Sequence, residues 1–115
     1  MIQKTNEKGL IDITPEVFTN LVGDAASSCF GVKGMASRKD NGRQLLRRES
    51  MSKGVRVDFE DDDSVSVELH IVVGHGVNLS ALCKSIMSEV SYKVTAATGA
   101  SVTCVDVYID SMLMD

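Results

Sequence analysis

Apolar and polar residues alternate most regularly between Val55 and Val73, and this alternation predicts a β-hairpin. Val55, Val57 and Phe59 are separated by charged residues, and a second alternating run covers residues 64–73. A polar turn at residues 61–63 lies between the two runs. Because successive side chains of a strand point to opposite faces, the hairpin is predicted to have one apolar face and one charged face.

A helical period of apolar residues follows Thr14, Pro15 and Glu16. Thr is a good N-cap, Pro suits the first helical position, and Glu favours the positive end of the helix. Gly31 supplies a stop at the other end. The apolar stripe of this first helix is predicted to consist of Val17, Leu21, Val22, Ala25, Ala26 and Cys29.

A second helix is predicted between Asn78, which acts as its N-cap, and Gly99, which ends it. Its apolar residues recur at helical spacing and form a single stripe. They are Leu79, Leu82, Cys83, Ile86, Val90, Val94 and Ala97.

Three further strands complete the prediction, at residues 10–13, 32–36 and 101–109. In the last strand, Val105, Val107 and Ile109 are assigned to one face and Val102, Cys104, Asp106 and Tyr108 to the other. The order is β-α-β-β-β-α-β. The predicted fold class is α+β, with both helices packed on one face of a four- to five-stranded mixed sheet, since each helix has one apolar stripe to bury.

Length and composition indicate one globular domain over residues 1–115, with residues 1–8 as a flexible N-terminus. We expect a cytoplasmic protein, because there is no apolar run typical of a signal peptide or a membrane span. Cys29, Cys83 and Cys104 are predicted to be free thiols in the core, since their spacing matches no zinc motif. No metal, cofactor or small-molecule substrate is predicted.

Five ordered sequence pieces resemble the bacterial alkaline-shock or general-stress (Gls) envelope stress response family. They occur in the family's order and at compatible spacing over about 100 residues. Five such matches together are much more specific than one short motif. The pieces are GLIDITPEV at 9–17, GVKGM at 31–35, KGVRV at 53–57, GVNL at 76–79, and Thr98-Gly99 with Val102 and Val105-Asp106-Val107.

This resemblance implies a non-enzymatic cytoplasmic protein, mostly of Gram-positive bacteria, that serves cell-envelope homeostasis. It also implies oligomers or protein partners, including membrane-anchored ones that would bring the protein close to the membrane. It implies no catalytic site.

The most basic segment spans residues 37–54 and is predicted to be a loop or hairpin arm. It holds six cationic and two acidic residues, a net charge of +4 in a chain whose net charge is −4. A solvated loop that tolerates charge is one interpretation, and a partner-binding site is the other. The candidate partner-binding residues are Arg38, Lys39, Arg43, Arg47, Arg48 and Lys53.

An acidic cluster at the hairpin turn could serve as the complementary surface for this basic segment. It lacks the alternating ligand spacing of a calcium loop, so a solvated turn is favoured over a metal site. Its residues are Glu60, Asp61, Asp62 and Asp63.

The glycine connector Gly74-His75-Gly76 precedes the second helix, where backbone N–H groups could receive an anion, although a plain turn is favoured. His70 falls on the polar face of its strand, which indicates a surface role. Neither histidine is predicted to serve a nucleophile, so the chain is not expected to be an enzyme.

Two functions are compatible with these features. The first is a scaffold that self-associates or binds a protein partner, and the second is a small nucleic-acid-binding module that uses the basic segment. The negative net charge and the scarcity of aromatic residues favour the first.

Overall fold

The computed structural model describes residues 2–35, 54–60 and 63–114. It confirms an α+β fold with the predicted order of elements and adds one strand at the N-terminus. The elements are β1 (Ile2–Asn6), β2 (Gly9–Ile13), α1 (Pro15–Ser27), β3 (Val32–Met35), β4 (Val55–Glu60), β5 (Ser64–Gly74), α2 (Leu79–Thr98) and β6 (Ser101–Leu113).

Strand β5 is the centre of a four-stranded mixed sheet. Strand β6 runs parallel to it along its whole length, from Ser64↔Ser101 to Gly74↔Leu113. Strands β4 and β3 are both antiparallel to β5, with Val55 opposite Leu69 and Met35 opposite Ile71. Since β6 occupies one edge of β5, β3 and β4 share the other edge end to end. The predicted basic segment falls between them, and its six cationic residues lie outside the described residues.

Both helices cover the same face of this sheet, as predicted. Residues of α2 at helical spacing are buried over the sheet: Leu82, Ile86, Val90 and Val94. The core of α1, however, includes Phe18, which the predicted stripe omitted. Phe18 is fully buried and meets the Phe59 ring edge-on at a centroid distance of 5.2 Å, whereas Val17 is 42% exposed. The larger aromatic side chain therefore takes the buried position on α1.

The ends of α2 follow the predicted capping chemistry. The Oδ1 atom of Asn78 accepts a hydrogen bond from the Ala81 amide at 3.1 Å, and Gly99 ends the helix with a φ of 79°. Lys4 of β1 lies beside Gly99, at the end of a helix whose last turn has no basic residue of its own. A cation here complements the negative end of the helix dipole. At the start of α1, Thr14 occupies the N-cap position without a side-chain capping bond.

Strand β1 lies within the residues predicted to be a flexible terminus, and it forms a two-stranded antiparallel hairpin with β2. The turn is supported by the Lys8 amide, which donates to Oδ1 of Asn6 at 2.7 Å. Strand β2 therefore belongs to a separate small sheet, and its Leu10 and Ile11 are more than half exposed.

A register shift in β6 corrects the predicted facing of one residue. Val65 pairs with Val102 and Ser66 with Cys104, so Thr103 is an extra residue in β6. As a result, Val102 packs against the core together with Val105, although strict alternation assigned it to the opposite face.

Candidate functional site: the helix-free face of the sheet

The face of the sheet opposite the two helices is the best-defined candidate surface. Core-facing residues of β4, β5 and β6 pack under the helices, so the alternate residues project to the other side. Paired residues form rows across the three strands. One row is Arg56, Glu68 and Asp106, a second is Asp58, Ser66 and Cys104, and a third is His70 and Tyr108. We call this surface the open face.

The open face is acidic. Among the described residues of β4, β5 and β6, it presents one arginine, Arg56, and one histidine, His70. Against them stand five carboxylates, from Asp58, Glu60, Glu68, Asp106 and Asp110. Arg56 forms an ion pair with Asp58 at 3.3 Å, but both side chains are more than half exposed. Such a pair adds little stability and leaves the negative potential of the face largely in place.

His70 is the centre of a polar cluster on this face. Its Nδ1 atom lies 2.7 Å from Oδ2 of Asp110, and its Nε2 atom lies 3.4 Å from Oε2 of Glu68. The imidazole also stacks on the Tyr108 ring at a centroid distance of 4.9 Å and an interplanar angle of 10°. His70 lies on the polar face of its strand, as predicted, but its side chain is only 16% exposed and is therefore half-buried there.

The cluster joins strands that the sequence keeps far apart. Asp110 lies at the second register shift of β6, where Ile71 pairs with Ile109 and Val72 with Ser111. Neither the role of Asp110 in this cluster nor the stacking of Tyr108 on His70 was predicted from the sequence. Alternation does place both on the same face as His70 once the two strands are known to be parallel neighbours.

The predicted acidic cluster is described only in part, since Asp61 and Asp62 lie outside the described residues. Glu60 accepts a hydrogen bond from the Thr103 hydroxyl at 3.2 Å. Asp63 has a positive φ of 56°, a conformation that Asp tolerates better than most residues, and its carbonyl accepts from the Ser101 amide at 3.0 Å. Both residues therefore fasten the β4–β5 turn to the start of β6.

The glycine connector borders a groove of about 610 Å³ at the opposite end of the sheet. Its walls include Phe30, Val77 and Leu82, with Lys33 and His75 at the polar side. Phe30 is almost fully exposed. The His75 amide donates to the Leu113 carbonyl at 3.1 Å, so the connector also holds the end of β6.

The three cysteines are free, but they are not all core residues. Cys104 is exposed on the open face, which contradicts the predicted burial, because it alternates with the core residue Val105 and so points away from the helices. Cys29 is half-buried and donates to the Ala25 carbonyl at 3.5 Å. Burial, aided by the Glu89 carboxylate and opposed by Lys93, raises the pKa of the Cys29 thiol.

Two further kinds of feature are absent from the described residues. Those residues contain no group of three or more His, Cys, Asp or Glu side chains placed to hold a metal ion. Among the same residues, no helix has the length and apolarity required to cross a membrane.

Residues 3–114 match the model of the alkaline shock protein 23 family, which is described as having a cell envelope-related function. The chain belongs to this family. Two relatives of similar length extend the match. The uncharacterized protein YloU of Bacillus subtilis is 32% identical over 96% of this chain and 94% of its own length. The uncharacterized protein Spy1614 of Streptococcus pyogenes is 37% identical over 97% and 95%.

The alkaline shock fold also resembles solved structures outside the family. One variant of MamM CTD matches with a TM-score of 0.51 and 14% identity, covering 85% of this chain and 98% of that chain. Another, solved in a zinc form, matches with a TM-score of 0.50 and 14% identity over 84% of each chain. At this level of identity the likeness concerns the fold alone.

Proposed function

We propose that this alkaline shock family member is a non-enzymatic scaffold of bacterial cell-envelope homeostasis and stress response. It acts by self-association or by binding a protein partner, in the cytoplasm of Gram-positive bacteria. Association with the membrane is indirect, through a membrane-anchored partner. The observation that carries this proposal is the open face, which is broad, acidic and left uncovered by the helices.

The open face has the features of a docking surface. Tyr108 is 47% exposed and its ring is fixed by stacking on His70, so it offers contact area with little conformational entropy to lose. His70 is in turn held by Asp110 and Glu68. A partner would therefore meet a preorganised surface, which lowers the cost of binding.

The surroundings of His70 support a binding role over a catalytic one. In a hydrolytic triad, one imidazole nitrogen faces a carboxylate and the other faces the nucleophile. Here both nitrogens face carboxylates, Asp110 and Glu68. A general base for a serine or cysteine is therefore not formed at this position.

The basic segment supplies a complementary charge for the open face. Its six cationic residues give it a net charge of +4, and the open face carries an excess of carboxylates. We propose that Arg38, Lys39, Arg43, Arg47, Arg48 and Lys53 of one molecule contact the acidic surface of another copy or of a protein partner. The acidic surface would repel a nucleic-acid backbone, which is why a protein is the favoured partner.

Charge reversal tests this proposal. Size-exclusion chromatography with light scattering should show larger particles at about 50 mM salt than at about 500 mM salt, because salt screens exposed charges. Replacing Arg43, Arg47 and Arg48 by Glu should abolish the larger particles and the specific partners recovered in a pull-down from lysate. The matched control is Lys84→Glu, an exposed cation of α2 that lies outside both the basic segment and the open face. If the triple variant keeps both its particle size and its partners, the basic segment is not the contact.

A further inference from the structure

Strand β6 has one unpaired edge in the described part of the chain. It is 13 residues long and pairs with β5 on one side only. The two register shifts at Thr103 and Asp110 leave a regular stretch from Cys104 to Ile109. A long strand with an open edge presents unpaired N–H and C=O groups that can hydrogen-bond to another strand.

The outer edge of β4 is protected in a way that the edge of β6 is not. Strand β4 has six residues, and every open-face position carries a charge: Arg56, Asp58 and Glu60. The regular stretch of β6 has Cys104, Asp106 and Tyr108 at the equivalent positions, so only one of three is charged. Charged side chains on an edge strand oppose pairing with another chain, and β6 has fewer of them.

The helix side of β6 also has apolar surface to bury. Val105 is 8% exposed, while Val107 and Ile109 pack against the core and remain half-buried. On the open face, Tyr108 is 47% exposed. A strand added along this edge would cover apolar groups on both faces.

We propose that a second copy of this chain pairs antiparallel along β6, with a twofold axis at Val107. This inference rests on the self-association in the proposed function and adds a strand-to-strand contact to the charge contact proposed for the basic segment. The two open faces then form one continuous acidic surface across a sheet shared by both molecules. An isologous contact of this kind closes on itself as a dimer.

The charges of β6 favour this register over its two neighbours. Two residues that pair across antiparallel strands have their side chains on the same face of the sheet. Only a register that pairs helix-side residues of one copy with helix-side residues of the other therefore buries the apolar residues together. With the axis at Val107, Asp106 lies opposite Tyr108 of the second copy, and Val105 lies opposite its Ile109. An axis at Asp106 would place two Asp106 carboxylates opposite each other. An axis at Tyr108 would place Asp106 opposite Asp110, and like charges directly opposite are destabilising.

A mixed disulfide tests the register directly. In a background with all three native cysteines replaced by serine, Asp106→Cys and Tyr108→Cys variants are mixed and oxidised. Opposite residues of antiparallel strands lie about 4.5–5.5 Å apart, within disulfide reach, so the mixture should form a crosslinked heterodimer. The matched control mixes Tyr108→Cys with Asp58→Cys, an exposed position on β4 that should not crosslink.

A second measurement uses the exposed native thiol of Cys104 as a spin-label site, with Cys29 and Cys83 replaced by serine. Cys104 and its symmetry mate are six positions apart along the paired strands, which corresponds to about 20 Å between Cα atoms. If light scattering shows a dimer but neither the mixed disulfide nor this distance is observed, the β6 interface is wrong. The proposal of self-association is then unaffected. A monomer at every concentration overturns both.

Discussion

The Nδ1 atom of His70 lies 2.7 Å from Oδ2 of Asp110, and this contact joins β5 to β6 at the point where their register shifts. Both side chains are less than one-fifth exposed. On its other side the imidazole faces Glu68. The contact therefore fixes the end of β6 and the orientation of the Tyr108 ring together.

Replacing His70 by Ala should lower the free energy of unfolding by about 1–2 kcal/mol, because a hydrogen bond to a charged group and a ring stack are lost together. Urea unfolding followed by circular dichroism measures the change. Asp110→Asn, which keeps an acceptor oxygen, should cost less than His70→Ala.

The control for this prediction is Asp58→Asn on the same face. It removes an exposed ion pair with Arg56 and should change stability by less than about 0.5 kcal/mol. If His70→Ala is as mild as this control, the cluster does not stabilise the sheet.

Burial on α1 gives a second prediction. Phe18→Ala should destabilise the protein by about 3–5 kcal/mol, because it opens a cavity beneath Phe59. Val17→Ala, one residue away and 42% exposed, should cost less than about 1 kcal/mol. Thermal unfolding of the two variants compares them. A larger loss of stability for Val17→Ala than for Phe18→Ala would instead support the apolar stripe predicted from the sequence, which included Val17 and omitted Phe18.

The local pattern of apolar and polar residues was sufficient to predict those helices and strands that are defined by residues close together in the sequence. Alternation from Val55 to Val73 predicted the β4–β5 hairpin, and Asn78 and Gly99 set the ends of α2, because caps and pleats depend on neighbouring residues. Strand β1 was missed because its residues are mostly polar, although Asn6 and Gly9 flank a short turn that signals a hairpin.

Contacts between distant strands could not be predicted in the same way. Strands β5 and β6 pair residues that are about 40 positions apart in the sequence. The alternation of apolar and polar residues within either strand does not determine which residues pair. The extra residue Thr103 also reverses the facing of Val102, which no local pattern shows. The His70–Asp110 contact depends on this long-range register, so the sequence indicated a surface histidine without its partners.

Backbone conformation at the end of α2 gives a third prediction. Gly99 has a positive φ of 79°, and a side chain there would collide with Lys4. Gly76 has a similar φ of 86° but open space around it. Gly76→Ala should therefore cost about 1–2 kcal/mol from backbone strain alone. The atom in the way at Gly99 is the flexible tip of Lys4, which can move aside, so Gly99→Ala should cost at most about 1 kcal/mol more, because the ammonium then leaves the negative end of the helix.

The excess cost at Gly99 is assigned to Lys4 by a double variant. Lys4→Ala should lower the free energy of unfolding in the wild-type background and have almost no effect in the Gly99→Ala background, and urea unfolding of the four proteins measures this coupling. Equal costs of Lys4→Ala in both backgrounds would show that Lys4 does not stabilise the end of α2 through this contact.

The raised pKa of Cys29 gives a prediction about pH. Because burial, the largest cause, and Glu89 disfavour the thiolate in the folded state, the unfolded chain loses this proton at a lower pH than the folded chain. The stabilising contribution of the neutral thiol is fully present below the unfolded pKa and is lost as the pH rises through the folded pKa. Urea unfolding between about pH 7 and about pH 10 should therefore show a steeper loss of stability for the wild type than for Cys29→Ala.

The rate at which the Cys29 thiol is alkylated distinguishes the effect of neighbouring charges on its pKa from the effect of its accessibility to the reagent. With Cys83 and Cys104 replaced by serine, only Cys29 reacts with iodoacetamide, and its rate follows the thiolate fraction. At fixed pH, Glu89→Gln lowers the pKa of Cys29 and should speed the reaction by about two- to threefold, while Lys93→Gln should slow it. A change in accessibility would not be expected to give opposite signs for these two variants. If both variants speed the reaction, loosening of the α1–α2 contact, where Lys93 pairs with Asp24 at 3.7 Å, governs the reactivity of the thiol instead.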